Sequence, residues 1–236
     1  MRGAPPSVRG GHAAALVGGA IHVFGGCLGW GVDSAYGDLW ALDPVSPGAE
    51  GGSGEGLVVQ EGSRPAYAWR QIMGSNASAD ANASIPVARC SHVGLAHPAG
   101  FLVTGGRTPL EPLTEPGSQE VPRWLTLADV WLFRPVEQSW VQVQDMVSTS
   151  AATSVNRSHH AGVLHNQTDL LLLGGLWTDV SSANKYNTIY ILRNLLRLQL
   201  PDLSSLLGAE PAAEVEPTSI SIGPQWVYGK PWNCYP

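Results

Sequence analysis

The stretch AIHVFGG, residues 20–26, decides the fold. Ile21, Val23 and Phe24 read as a short strand. Gly25 and Gly26 then remove every side chain at the point where that strand ends. One such pair is ordinary turn chemistry. The chain repeats it in GFLVTGG (100–106) and DLLLLGG (169–175). Upstream of each pair stands a histidine, His12, His92 or His160, and three residues before each histidine stands Arg9, Arg89 or Arg157. The unit therefore opens on R-x-x-H, runs through small and apolar residues, and closes on a strand and Gly-Gly.

The repetition continues downstream. GDLWALDP (37–44), ADVWLFRP (128–135) and NTIYIL (187–192) follow the three pairs in turn. Trp69 in YAWRQI and Trp140 in QSWVQV follow the first two of these runs. Each unit reads as four short strands, and such self-similarity governs the fold before any local propensity does.

On these residues the sequence resembles the kelch repeats, the four-stranded blades of one class of β-propeller. The likeness covers residues 5–73, 86–144 and 155–192, with the third unit continuing toward 228 through SISIGPQWVY (219–228). Residues 193–236 otherwise read as an irregular C-terminal segment, although LRNLLRLQL (192–200) suits either a longer strand or a short helix. The resemblance implies an all-β, kelch-type β-propeller, here partial. It has about three four-stranded antiparallel blades, belonging to a larger or completed ring, since propellers carry about 4–8. The missing blades come from the same longer chain or from other chains. The units begin at Arg9, Arg89 and Arg157, further apart than the roughly 50 residues of a kelch repeat, so insertions are expected. Unit two departs from the pattern with Arg134 in place of Asp43, and unit three lacks the acidic-Pro pair.

Strands packed on both faces read as continuous apolar runs, and FLV and LLLL before the later Gly-Gly pairs do so. The 236 residues are 44% hydrophobic and 14% charged, with 28 glycines and 18 prolines, a composition of short strands and many turns. The net charge of −6 gives no basic footprint for nucleic acid. No apolar run approaches the roughly 18 residues of a membrane-spanning helix. The N-terminal MRGAPPSVRGGH enters the first unit at once, so no signal peptide is expected.

The insertions read as surface loops. VSPGAEGGSGEGLVVQEGSRP (45–65) is Gly-, Ser- and Glu-rich, GSNASADANASIP (74–86) joins units one and two, and RTPLEPLTEPGSQEVPRW (107–124) extends the loop after the second Gly-Gly. Asn76, Asn82, Asn156 and Asn166 each open an N-x-S/T sequon at a loop or turn. They favour an N-glycosylated protein, extracellular or in the secretory lumen, with a cytoplasmic protein as the alternative, because Asn and Ser are common in turns anyway. Cys27 and Cys90 fall on the same rim of neighbouring blades, which makes a disulfide conceivable. Ordinary thiols are an equal reading, and Cys234 is left over.

Chemistry is sparse. His12, His92 and His160 occupy a repeat position and are read as structural. His159 beside His160, with His22, His97 and His165, shows no metal-ligand spacing. No G-x-S-x-G elbow or phosphate loop is present. No cofactor or metal is expected and the chain is read as non-catalytic. Kelch-like propellers mostly bind partner proteins through loops on one rim, and the resemblance implies a protein–protein interaction module here. Loops 27–37, 74–88, 107–127, 145–156 and 176–187 are the candidate surface, with Trp30, Arg107, Trp124 and Trp177 as contacts. One alternative is a structural component of a larger assembly. A further one is a secreted galactose-oxidase-like copper enzyme using Cys27 and Tyr36.

Overall fold

The computed structural model describes residues 3–29, 35–45, 66–74, 85–113, 121–144, 155–179, 188–203 and 218–220. The described residues form strands, turns and no helix. The first sheet runs β1 (Ala13–Val17), β2 (Ala20–Phe24), β3 (Leu39–Val45) and β4 (Ala66–Met73), each antiparallel to the next. The second is built from β5 (Val93–His97), β6 (Gly100–Thr104), β9 (Val130–Arg134) and β10 (Ser139–Gln144). Between β6 and β9 a separate hairpin is inserted, β7 (Arg107–Leu113) with β8 (Val121–Thr126). The third sheet comprises β11 (Ala161–His165), β12 (Asp169–Asp179), β13 (Thr188–Gln199) and β14 (Thr218–Ile220).

The middle sheet explains the apolar runs. Successive side chains of a strand point to opposite faces. Phe101, Val103, Trp131, Phe133 and Trp140 bury against Ala13, Val17, Phe24 and Leu39 of the first sheet. Their neighbours Leu102, Val130, Leu132 and Val143 bury against Leu170, Leu172, Leu196 and Leu198 of the third. A strand covered on both faces cannot alternate with polar residues, so FLV stays apolar throughout. Trp140 fills the first seam, its ring centroid 5.1 Å from that of Phe24 and 5.3 Å from that of Phe133.

Three expectations need correction. Residues 107–127 are not an open loop, because β7 and β8 pair from Arg107↔Thr126 to Leu113↔Val121. The third-sheet strand equivalent to GDLWAL is not NTIYIL. Phe24 pairs with Leu39 and Thr104 with Val130, and the corresponding Leu173 pairs with Leu195. Asn194, one residue before Leu195, thus holds the place of Asp38 and Asp129. Thr188–Leu192 instead pair with Gly175–Asp179, beyond a bulge at Leu173/Gly175, so part of the 176–187 loop is also strand. Lastly, 193–236 is not wholly irregular: Arg193–Gln199 continue β13, and β14 pairs with it through Leu195↔Ile220. The longer-strand reading of LRNLLRLQL is the one observed.

Candidate rim site

The R-x-x-H repeat builds the Gly-Gly end of each sheet. The Arg9 guanidinium donates to the Gly25 carbonyl at 3.0 Å and to Asp38 Oδ2 at 2.9 Å, and Trp40 Nε1 donates to the same carboxylate. Arg89 repeats this on the Gly105 carbonyl and Asp129, with Trp131 Nε1 donating to Asp129. Arg157 donates to the Gly174 carbonyl at 3.1 Å. Burial acts to raise Asp129, but the Arg89 charge and the hydrogen bonds outweigh it and hold the carboxyl below its ordinary value. Arg157 is pulled down to about 10 by burial.

The residue after each arginine pairs with the residue after each Gly-Gly: Gly10 with Cys27, Cys90 with Arg107, and Ser158 with Leu176. The following residue turns the chain with a left-handed backbone, at Gly11 (φ 62°), Ser91 (φ 56°) and His159 (φ 54°). These three link the sheets, with Ser91 N–H donating to the Gly11 carbonyl and His159 N–H to the Ser91 carbonyl. Ser91 Oγ lies 3.0 Å from His159 Nε2, and Ser158 Oγ lies 3.1 Å from Nδ1. Burial, then the nearby Arg107 charge, lowers the His159 pKa, so the ring is neutral at pH 7. Ser91 and His159 stand 68 residues apart, so no short motif joins them in the sequence. The signal was the first unit's own glycine: a left-handed position is cheap for Gly11, and for serine and histidine it stores strain.

Arg107 begins β7 and lays its guanidinium 4.3 Å from the Trp124 ring centroid. Trp124 is therefore buried, not an exposed anchor. Its flat face lies under the arginine in a cation–π contact. Trp177 is half-buried in β12 and packs on Tyr190 at 4.7 Å. Trp30 lies outside the described residues. Of the sequons, Asn166 is exposed at the β11–β12 turn and Asn156 is half-buried, while Asn76 and Asn82 lie outside the described residues. Cys27 and Cys90 are free thiols on the two sides of the seam between the first two sheets, near enough for Cys90 to act on the Cys27 thiol. Burial, then the contact with Cys90, pushes the Cys27 thiol up to about 12. Tyr36 packs under Arg9, 4.1 Å from guanidinium carbon to ring centroid. Among the described residues no group of three or more His, Cys, Asp or Glu side chains is placed to hold a metal ion, and no helix is long and apolar enough to cross a membrane.

The rim thus gathers Ser91, Ser158, His159, Arg107 and the Cys27–Cys90 pair at the junctions between sheets. It offers the Ser91 hydroxyl and the exposed His159 imidazole beside a cation, with Ser158 buried beneath them. Among the described residues no carboxylate hydrogen-bonds His159, so the serine–histidine contact lacks the third member of a triad. No protein-family model and no curated protein sequence matches the chain. A solved structure titled "Structure of YjhT" matches with a TM-score of 0.50 at 11% identity, over 92% of this chain and 47% of that one. At this identity the likeness concerns the fold alone, and the chain spans about half the length of that structure.

Proposed function

We propose that the three sheets are blades of a kelch-like β-propeller and that the Gly-Gly rim is a docking surface for a partner protein. The observation that carries the reading is the substitution of Gly11 by Ser91 and His159 at one strained repeat position. Packing alone is served by glycine there, so polar side chains held in a left-handed backbone point to recognition. With Arg107 beside them they suit a partner segment bearing carboxylate or amide groups. The rigid sheets hold this surface in place. The four sequons support an extracellular or secretory-lumen setting, and among the described residues Asn166 is an exposed acceptor.

The test is capture of partners from the natural source on the immobilised chain, followed by calorimetry with the purified partner. The double variant Ser91→Ala/His159→Ala and the single Arg107→Ala should each weaken binding about tenfold or more, equivalent to roughly 1.4 kcal/mol. Val136→Glu, at the β9–β10 turn on the opposite rim, should leave it unchanged. Equal binding by all variants ends the rim reading.

A further inference from the structure

Among the described residues, each end of the stack presents one half of a contact that the chain already makes twice. In the first seam a Cβ on Gly25 would meet the Arg89 carbonyl oxygen at 2.6 Å and His92 Cε1 at 2.9 Å. In the second, Gly105 stands in the same way against the Arg157 carbonyl, at 2.7 Å, and His160 Cε1, at 2.8 Å. The first glycine of each pair is a socket, and the next sheet's arginine carbonyl and histidine ring fill it. Gly174 is the third socket, and there the nearest atom is its own sheet's Leu192 carbonyl oxygen at 3.4 Å. The unmatched plug is at the other end of the chain: His12 is exposed, whereas His92 is buried.

The apolar faces tell the same story. Phe24 of the first sheet is 1% exposed in its seam, and its repeat equivalent Leu173 is 53% exposed, with Val163 of the same face at 56%. Phe101 of the second sheet is 0% exposed, and its equivalent Ile21 is 38% exposed, with Leu16 of that face at 64%. The third sheet therefore shows the face with which the first and second cover their successors. The first sheet shows, at Leu16 and Ile21, part of the face with which the second and third meet their predecessors, while Val23 on that face is buried.

We infer that two copies of this chain close on one another, the third sheet of each seated on the first sheet of the other. His12 of one copy would enter the Gly174 socket of the other, twice, about a two-fold axis along the ring. A second copy supplies both missing halves at once and continues an interface already formed within the chain. Closure by rotation gives a finite ring, whereas failure to close would give an open filament. The inference rests on the propeller reading for the curvature of the stack. It is independent of the rim surface, whose variants lie elsewhere.

The experiment is sedimentation velocity and light scattering on the 236-residue chain across micromolar concentrations. The expected species has twice the 24.9 kDa chain mass. Leu16→Glu and Leu173→Glu, each at a position exposed in the single chain, should be monomeric where the wild type is dimeric, and Val136→Glu should remain dimeric. Hydrogen exchange on the wild type guards against a folding defect in the variants: amides of β1 and β11 should slow as the dimer forms. A wild type that stays monomeric throughout, one that grows without limit, a dimer indifferent to both glutamates, or unchanged exchange at β1 and β11 would each overturn the inference.

Discussion

Gly25 in the first sheet and His92 in the second touch so closely that a methyl group on Gly25 would lie 2.9 Å from His92 Cε1 and 2.6 Å from the Arg89 carbonyl oxygen. The Gly-Gly motif is thus a contact between repeats and not merely the end of a strand. Gly25→Ala should lose about 1–2 kcal/mol for its left-handed backbone and about 1–3 kcal/mol more for overpacking. Gly174→Ala has a similar φ of 65°, and among the described residues the nearest atom to its Cβ position is its own sheet's Leu192 carbonyl oxygen at 3.4 Å. In the monomer it should lose only the backbone part. Urea midpoints of the two variants under monomeric conditions check this, and equal losses would contradict the socket.

Asn194 stands where the first two sheets carry Asp38 and Asp129, and its buried Oδ1 has no hydrogen-bond partner among the described residues. Asn194→Asp places a carboxylate where Asp38 and Asp129 accept from Arg9 and Arg89, and it should stabilise the protein at neutral pH by about 1.5–3 kcal/mol, the scale of hydrogen bonds to charged groups. The new carboxylate should titrate below its ordinary value. Its contribution is then present above that value and disappears as pH falls through the lowered folded pKa. A destabilised variant in thermal melts would disprove the equivalence of Asn194 with Asp38 and Asp129.

Stability should fall as the solution is acidified below pH 6.5, the ordinary histidine value. Burial, reinforced by the charges of Arg89 and His160, lowers His92 well below 6.5, and burial with the Arg157 charge takes His160 to about 3. Both are neutral when folded, whereas the unfolded chain takes up protons below 6.5. Each group therefore removes about 1.4 kcal/mol per pH unit in that window. For His160 the loss ends near pH 3, where the folded ring also protonates. His22, His97 and His159 are lowered in the same direction, by burial first, and steepen the slope. Denaturation curves from neutral to mildly acidic pH measure it, and a flat profile would mean that these rings are solvated.

Cys27 and Cys90 should form a single bridge when treated with glutathione disulfide. The two thiols lose two hydrogens, and the reagent is reduced to two glutathiones. The step should be slow, because Cys90 is fully buried and the Cys27 pKa of about 12 leaves little thiolate. Once formed, the bridge ties the first two sheets and should add about 2–4 kcal/mol of stability. Peptide mapping would show Cys27 joined to Cys90, and a map joining either one to Cys234 would disprove the pairing.

Much of the fold was legible because it is local and repeated. AIHVFGG, GFLVTGG and DLLLLGG each carry a strand and its terminus within seven residues, and three matching copies reinforce one another. Antiparallel β-structure in successive four-stranded units follows from that pattern and agrees with the described sheets. The site was less legible. Arg107 and Trp124 were singled out separately, and only the β7–β8 pairing stacks one on the other and buries the tryptophan. Ser91 and His159 are far apart in the chain and meet only because neighbouring sheets bring equivalent turns together.

The sequence by itself determined the strand-and-glycine rhythm, the all-β class of the described residues and the arginine and histidine of each repeat. Those depend on side chains a few residues apart. Tertiary structure alone decided which run completes the third sheet. TIYIL and LLRLQ are both apolar enough to pair with β12, and their own residues do not choose between them. Packing does: Leu196 and Leu198 pair with Leu172 and Leu170 and bury against the second sheet, while Thr188–Leu192 are carried beyond the Gly-Gly bulge. Strand register is a property of the partner strand and the covered face, and neither is written within the strand itself.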